Sequence, residues 1–575
     1  MKNRWNILPT ADQKKVQSLA VELNKLNPTL ANILIQRGVD TFEKAKDYFR
    51  PSLNDLHDPF LMKDMQKAVE RLQAAIEKRE KVLIYGDYDV DGTTSVALVY
   101  SYLKQFYSNI EYYIPDRYTE GYGISYQGID FAKENDFSLI IALDCGIKAI
   151  EKIAYANEKN IDFIICDHHT PGESIPEAVA VLDPKRKDCQ YPFKELSGCG
   201  VGFKLMQAYA TSENLGLESL LDKIDFLAVS ICADIVPMVG ENRILTYYGM
   251  KKLNSQPQKA FSAMLNTAGV NKKELTVTDV VFTIAPRINA AGRMKSGNEA
   301  VALLISKDIV SAEKSSTQIN IYNNDRKLHD SSITQEALAI IAEDKQLLQQ
   351  KTTVLYNEGW HKGVIGIVAS RCIESYYRPT IILTKSKGMA AGSARSVKGF
   401  NIYNALEACE ELLEQFGGHK YAAGMTLPIE NIPAFQKRFE EVVADSIPQA
   451  LLSPEIEIDA NLSLDEIDNK FYNILRQFAP FGPGNMKPVF ISRGLKEKGD
   501  GSLLKEKHLK LNIYDPKTAK NYYPAIGFNL YEKYHLVKSG EPFDMVYTIE
   551  LNEWNGRSTI QLNIKDIRAS DSIEA

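Results

Sequence analysis

The chain has 575 residues, 44% hydrophobic and 25% charged, with a net charge of −6. It is too long for one hydrophobic core, so about three or four globular domains are expected. The charge balance excludes a uniformly basic nucleic-acid coat but not a basic groove on an acidic body.

The first residues, MKNRWNILPTADQKK, lack the apolar core of a signal peptide, and no apolar run approaches the ~20 residues that span a bilayer. Seven cysteines without a CxxC pair argue against a disulfide framework or a zinc ribbon and for a reducing cytoplasm. Residues 1–70 read as a segment of short helices and loops, with Leu19, Leu23 and Leu26 at helical spacing and a break at Arg50-Pro51. An amphipathic helix follows over 65–78. From there to about 240, apolar runs at 81–85, 109–114, 138–143, 161–166 and 178–182 alternate with helical segments. This predicts an α/β protein with a doubly wound, mostly parallel sheet whose strands at 81 and 138 are buried on both faces.

The polar stretch 311–346 lacks Gly and Pro and reads as a long connecting helix. A second α/β domain begins with strands at 352–357 and 379–384. Beyond Pro448 and Pro454 the tail is rich in strands, with Asn555-Gly556 as a hairpin turn. About five strands over this length suggest a small barrel of OB type. The expected divisions are 1–70, 71–305, the connecting helix 306–348, 349–450 and 451–575.

The stretch YGDYDVDGTT, 85–94, carries the most chemistry. It is not an EF-hand: position twelve counted from Asp87 is Leu98 rather than Glu, and a strand precedes it. A phosphatase with Asp89 as covalent nucleophile survives longer. Three further clusters lie at or just past apolar runs: Asp144 in IIALDCGI, Asp167-His168-His169 in IDFIICDHHT, and Asp234 in LAVSICADIVP. Loops at the carboxyl ends of parallel strands converge on one crevice. Asp89, Asp91, Asp144, His168 and His169, joined by Asp234, can therefore meet there. Such a mixed oxygen and imidazole set suits two divalent ions, Mn²⁺ or Mg²⁺, and leans toward Mn²⁺. Each element alone has a plainer reading: an aspartate after a strand commonly caps a helix, as Asp91 before Gly92-Thr93-Thr94 could, and paired histidines occur in surface loops. The conjunction favours the metal site.

These motifs, GDYDVDG, LDCGI, DHH and ADIVP, resemble in order the four motifs of the DHH phosphoesterase superfamily. IPDRYTEGYGIS, SGCGVGFKL, PRINAAGRM, GWHKGVIGIVASR, GSARS, FGGHKYAAG and FAPFGPGN resemble its RecJ family, over nearly the whole chain. The resemblance implies metal ligands at Asp89, Asp91, Asp144, His168 and Asp234, with Asp144 bridging. It implies that His169 contacts the scissile phosphate, with Asp87 and Asp167 as supporting residues. It also implies substrate contacts at Arg117, Ser393 and Arg395 for a terminal 5′-phosphate, at Arg293 (or Arg287 in its stead) near the cleaved region, and at Gly417, Gly418 and His419. The implied activity is 5′→3′ hydrolysis of single-stranded DNA to 5′-mononucleotides in repair and recombination. A RecQ-type helicase and a single-strand-binding protein are the implied partners. The chain is expected to be a cytoplasmic monomer without a membrane contact. The alternative is a DHH phosphodiesterase of short oligonucleotides or cyclic dinucleotides, which would not need the barrel. Tyr522, Tyr523, Phe528 and Trp554 are candidate stacking platforms there, each also readable as a core residue.

Overall fold

Lys81–Gly86, Ile110–Tyr113, Phe137–Leu143, Asp162–Cys166 and Ala180–Leu182 form one parallel sheet. In space Ile110–Tyr113 is at one edge, Lys81–Gly86 comes next, and the other three follow in chain order. The computed structural model describes residues 3–570 except 519, 555 and 556, and not the side chains of 554 and 557. The expected Asn555-Gly556 turn and the Trp554 side chain therefore lie outside the described residues.

Val82–Tyr85 and Leu139–Leu143 are fully buried, so both faces of these strands are covered and an uninterrupted apolar run is what they need. The strand order reverses between Lys81–Gly86 and Phe137–Leu143. Ligand crevices of open α/β sheets form at such a switch point. Register then does something specific. Gly86, Leu143, Cys166 and Leu182 lie side by side across the sheet. The next residue after each is an aspartate: Asp87, Asp144, Asp167 and Asp183. Four strand ends thus deliver a row of four carboxyl groups.

Behind this row pack the helices Val90–Leu103, Gly198–Ser212 and Ile224–Asp234. The first is apolar on nearly all sides and buried almost throughout, as an interior helix must be. LAVSICADIVP belongs to the third, and Asp234 is its last residue.

The connecting helix runs Ile309–Glu343, 35 residues and hence about 52 Å. It leads to a second sheet in the order Gln415–His419, Ala422–Leu427, Met389–Arg395, Thr380–Ser386, Thr353–Tyr356, where only the last pair is parallel. GSARS, read from sequence as a small-residue loop, is here part of a strand: Ser393 and Arg395 sit on Met389–Arg395, paired on both sides. Its small residues fit because Leu383 and Met425 pack onto the strand at Gly392.

Residues 55–454 form one compact unit; the segments before 55 and after 454 form a second. In the second unit Arg4–Ile7 is a strand that pairs in parallel with Glu455–Ile458. Sequence reading gave only helices and loops there. Leu30, Ile33 and Leu34 share a core with Leu462, Phe478, Leu509 and Tyr547. The barrel itself is a seven-stranded sheet, partly closed by pairing of Phe490–Glu497 with His508–Tyr514. Tyr523 is a core residue whose hydroxyl donates to the Ile467 carbonyl, whereas Tyr522 and Phe528 are exposed, with Lys498 lying over the Tyr522 ring at 5.2 Å. No helix among the described residues is long and apolar enough to cross a membrane.

Candidate active site

The three aspartates of the opening motif have three different surroundings. Asp89 is the N-cap of Val90–Leu103: its Oδ1 accepts the Gly92 N–H at 3.0 Å. The capping reading therefore falls on Asp89 rather than on Asp91. Asp91 is buried within the first turn and accepts from two other helices. Its carboxylate receives the N–H groups of Gly198 (2.7 Å) and Cys199 (2.8 Å), at the start of Gly198–Ser212, and the Ser230 hydroxyl (2.7 Å). An anion at a helix N-terminus is favoured by the unpaired amides and the dipole. Asp87 is fully buried; Oδ1 accepts the Gly123 N–H at 3.4 Å, and Oδ2 has no hydrogen-bond partner.

Asp144 is in the left-handed region, φ +60°, a conformation that aspartate tolerates better than most residues. Its Oδ1 is buried without a hydrogen bond. Helix Gly198–Ser212 approaches so closely that a Cβ on Gly198 would lie 2.5 Å from that oxygen, so only glycine fits. Into the same space comes His168. Its Nε2 is 3.2 Å from Asp144, 3.6 Å from Asp234 and 3.8 Å from Asp91, and both of its ring nitrogens lack a hydrogen bond. Burial pulls His168 down to about 4, so at neutral pH the ring is uncharged, the form that binds metals.

Carboxyl groups crowd together here. Burial and the neighbouring carboxylates push Asp87 and Asp144 well above the usual range, raise Asp89, and bring Asp234 to about 8. Ligand atoms of Asp91, His168 and Asp234 lie within 4.8 Å of one another, as do those of Asp144, His168 and His169. Orphaned oxygens, mutual repulsion and a neutral imidazole fit divalent cations.

His169 is held differently. Its Nδ1 is 2.7 Å from Asp167 Oδ1, which also accepts both histidine N–H groups, while Asp167 Oδ2 accepts from Ile147 at 2.9 Å. Burial works against His169's charge, but the bond to Asp167 and that carboxylate's charge prevail and raise it to about 9. Asp167, despite its burial, is held below the usual range by the same bond. His169 stacks on His419 of the second sheet, centroids 5.8 Å apart and planes 14° from parallel. Gly417 and Gly418 precede His419 on the same strand.

A cluster of the opposite sign lies near. Arg395 Nη1 donates to Ser393 Oγ at 3.0 Å and Arg293 Nη1 to the Gly363 carbonyl at 3.1 Å, while Arg117 lies 5.0 Å from the Tyr88 ring centroid. Among the described residues none of the three has a carboxylate within 4.0 Å. Burial, with the charges of Arg117, Arg395 and Arg326, pushes Arg293 down to about 9; burial and Arg117 also lower Arg395. Like charges crowded without counter-ions make an anion pocket. Arg287 is instead engaged by the Thr283 carbonyl (2.7 Å) and Asn320 (3.2 Å).

Family models match at residues 81–231 (DHH family, N-terminal domain), 349–445 (DHHA1 domain) and 458–566 (RecJ OB domain). The single-stranded-DNA-specific exonuclease RecJ of Bacillus subtilis is 37% identical over 99% of this chain and 71% of its own length. The chain belongs to the RecJ family. The Escherichia coli RecJ is 31% identical, with 94% of this chain and 96% of that one covered. A crystal structure of Thermus thermophilus RecJ in complex with Mn²⁺ superposes with a TM-score of 0.84 at 26% identity, covering all of this chain and 80% of that one.

In this RecJ-family chain, sequence reading passed over several residues of the site. Ser230 and the Gly198 and Cys199 amides hold Asp91; the signal was the small-residue run SGCG ahead of an apolar stretch, a helix start. Asp183 completes the row of strand-end aspartates, with Oδ1 accepting from Lys185 at 2.7 Å and burial raising it to about 7. Tyr122 places its hydroxyl 3.3 Å from His169 Nε2; nothing local in EGYG marks it.

Proposed function

We propose that this chain is a metal-dependent exonuclease that degrades single-stranded DNA from its 5′ end to 5′-mononucleotides, in repair and recombination. The observation that carries the reading is the pairing of two incomplete charge clusters in one unit: a carboxylate–histidine centre that needs cations beside an arginine pocket that needs an anion. The names of the relatives point the same way.

Asp89, Asp91, Asp144, His168 and Asp234 would hold two ions, Mn²⁺ or Mg²⁺. When bound, these neutralise the phosphate and make a water nucleophilic at neutral pH. Asp167 occupies Nδ1 of His169, so the nitrogen that would donate to a phosphate oxygen is Nε2, which lies 3.3 Å from the Tyr122 hydroxyl; at about 9, the ring carries that proton at neutral pH. Asp87 braces the loop at Gly123, and the amides at 198 and 199 with Ser230 fix Asp91. Arg117, Arg395 and Ser393 bind the terminal phosphate and so select the 5′ end, while Arg293, close enough to feel the charges of both arginines, contacts the cleaved region. His419, stacked on His169, brings the Gly417-Gly418 strand close over the centre. That favours one strand over a duplex. Tyr522 and Phe528 on the barrel supply sequence-tolerant stacking for a longer strand. A RecQ-type helicase and a single-strand-binding protein fit as partners that supply single strands. A monomer in the cytoplasm completes the reading.

The test is digestion of long single strands labelled at either end, with Mn²⁺ present, beside short oligonucleotides. Loss beginning at the 5′ label is expected. Loss beginning at the 3′ label, or turnover confined to short substrates, overturns it.

A further inference from the structure

Between the two charge clusters stands a pair of tyrosines. Arg117 lies 5.0 Å from the Tyr88 ring centroid. Tyr88 meets Tyr122 edge to face, centroids 6.1 Å apart at 84°. Tyr122 in turn meets His169 at 6.2 Å and 83°. The aromatic path therefore runs without a gap from the anion pocket to the histidine beside the carboxylates.

Tyr122 is 52% exposed, yet its loop is fastened from beneath. Gly121 and Gly123 adopt φ of +90° and +74°, conformations that put the tyrosine at the crest of a tight turn. The Gly123 N–H donates to buried Asp87, and the Gly123 carbonyl accepts the buried Tyr85 hydroxyl at 3.0 Å. A large ring held out into solvent on a braced loop is preorganised for a flat, partly apolar ligand.

The proposed function supplies that ligand, and the inference rests on it. If the arginines hold the terminal phosphate and His169 faces the scissile one, the nucleoside joining the two phosphates must lie along the tyrosines. We propose that Tyr122, backed by Tyr88, is the platform for the 5′-terminal nucleoside, and that stacking there positions the first scissile phosphate against His169. Every base has a π-face, so the platform is tolerant of sequence and serves each residue in turn as the strand advances. Tyr122 is a positioning residue; the bonds that break and form are elsewhere.

The experiment measures single-turnover release of the first nucleotide from 5′-phosphorylated single strands, with Mn²⁺, where the terminal residue is either intact or abasic. For the wild-type protein the intact end is expected to react about 5- to 150-fold more efficiently, the range that base stacking on an aromatic supplies. In Tyr122→Leu this ratio falls toward one. In Tyr122→Phe, which keeps the ring and loses the hydroxyl, the wild-type ratio persists whatever the absolute rate. Because each ratio is internal to one variant, partial loss of folded protein cancels. A wild-type ratio of one, or a wild-type ratio retained by Tyr122→Leu, overturns the platform. Loss of the ratio in Tyr122→Phe overturns it as well, because the hydroxyl bonded to His169 would then be the operative group. Wild-type protein inert on both ends overturns the nuclease reading itself, and the platform with it.

Discussion

Two clusters of buried charge in the first unit look alike in a list of residues and differ in kind. Lys204 and Glu241 are 0% and 1% exposed and 2.6 Å apart. The lysine also donates to the His57 carbonyl and Gln207, both at 3.0 Å; the glutamate also accepts the His57 N–H at 3.0 Å and the Tyr191 hydroxyl at 2.6 Å. The pair is closed: opposite charges, with further hydrogen bonds on both groups. The strand-end aspartates are open, with like charges together and orphaned oxygens on Asp87 and Asp144. A closed cluster holds chain segments to each other. An open one is missing a component, and its sign names that component.

The comparison breaks if the two respond alike to mutation. Asp144→Ala is expected to have the largest effect, lowering turnover about 10³-fold or more, while single-stranded DNA still binds within a few-fold by fluorescence anisotropy. The same substitution should abolish most of the rise in melting temperature that Mn²⁺ gives the wild-type protein. Turnover like wild type would exclude the two-ion centre. Lys204→Met removes one partner of the closed pair and strands Glu241. Chemical denaturation should register a loss of about 3–5 kcal/mol. Rates per folded molecule, from active-site titration, should stay near wild type. Arg395→Ala tests the cluster of opposite sign. The preference for a 5′-phosphorylated over a 5′-hydroxyl strand should drop about 10- to 100-fold, as expected for charge-assisted hydrogen bonds, with little change on the 5′-hydroxyl strand. The smallest effect is expected for Ser230→Ala. Losing one of three donors to Asp91 should weaken Mn²⁺ binding about tenfold in calorimetry. No change there would mean that the helix amides alone fix the carboxylate.

What could be read from the chain follows the range of the forces involved. The strands of the first sheet other than the half-exposed edge strand Ile110–Tyr113 were legible because burial on both faces demands a continuous apolar run, a local signal. The aspartates and histidines could be grouped because parallel strands carry their C-terminal loops to one edge, so spacing along the chain translates into position. Asp89 and Asp91 show where this stops. They are two residues apart and the sequence makes them equivalent. One caps its own helix; the other is held by residues 107 to 139 positions away. The same limit hid Asp183, whose place in the row depends on the register of Cys166 beside Leu182. It also hid the strand Arg4–Ile7, whose partner begins at Glu455.

The sequence by itself determined the classes of element and the kinds of chemistry: a buried parallel sheet, a strand-rich tail, carboxylates with imidazoles, and a set of arginines. These follow from hydrophobic periodicity and side-chain type, which act over a few residues. Only the tertiary structure decided which carboxylate caps a helix and which meets His168. Only it decided that His419 stacks on His169, and that the first fifty residues share a core with the barrel rather than with the domain they precede in the chain. Those outcomes depend on close packing and hydrogen bonding between segments hundreds of residues apart, where the cost of burying an unpaired polar group, rather than any local preference, selects the partner.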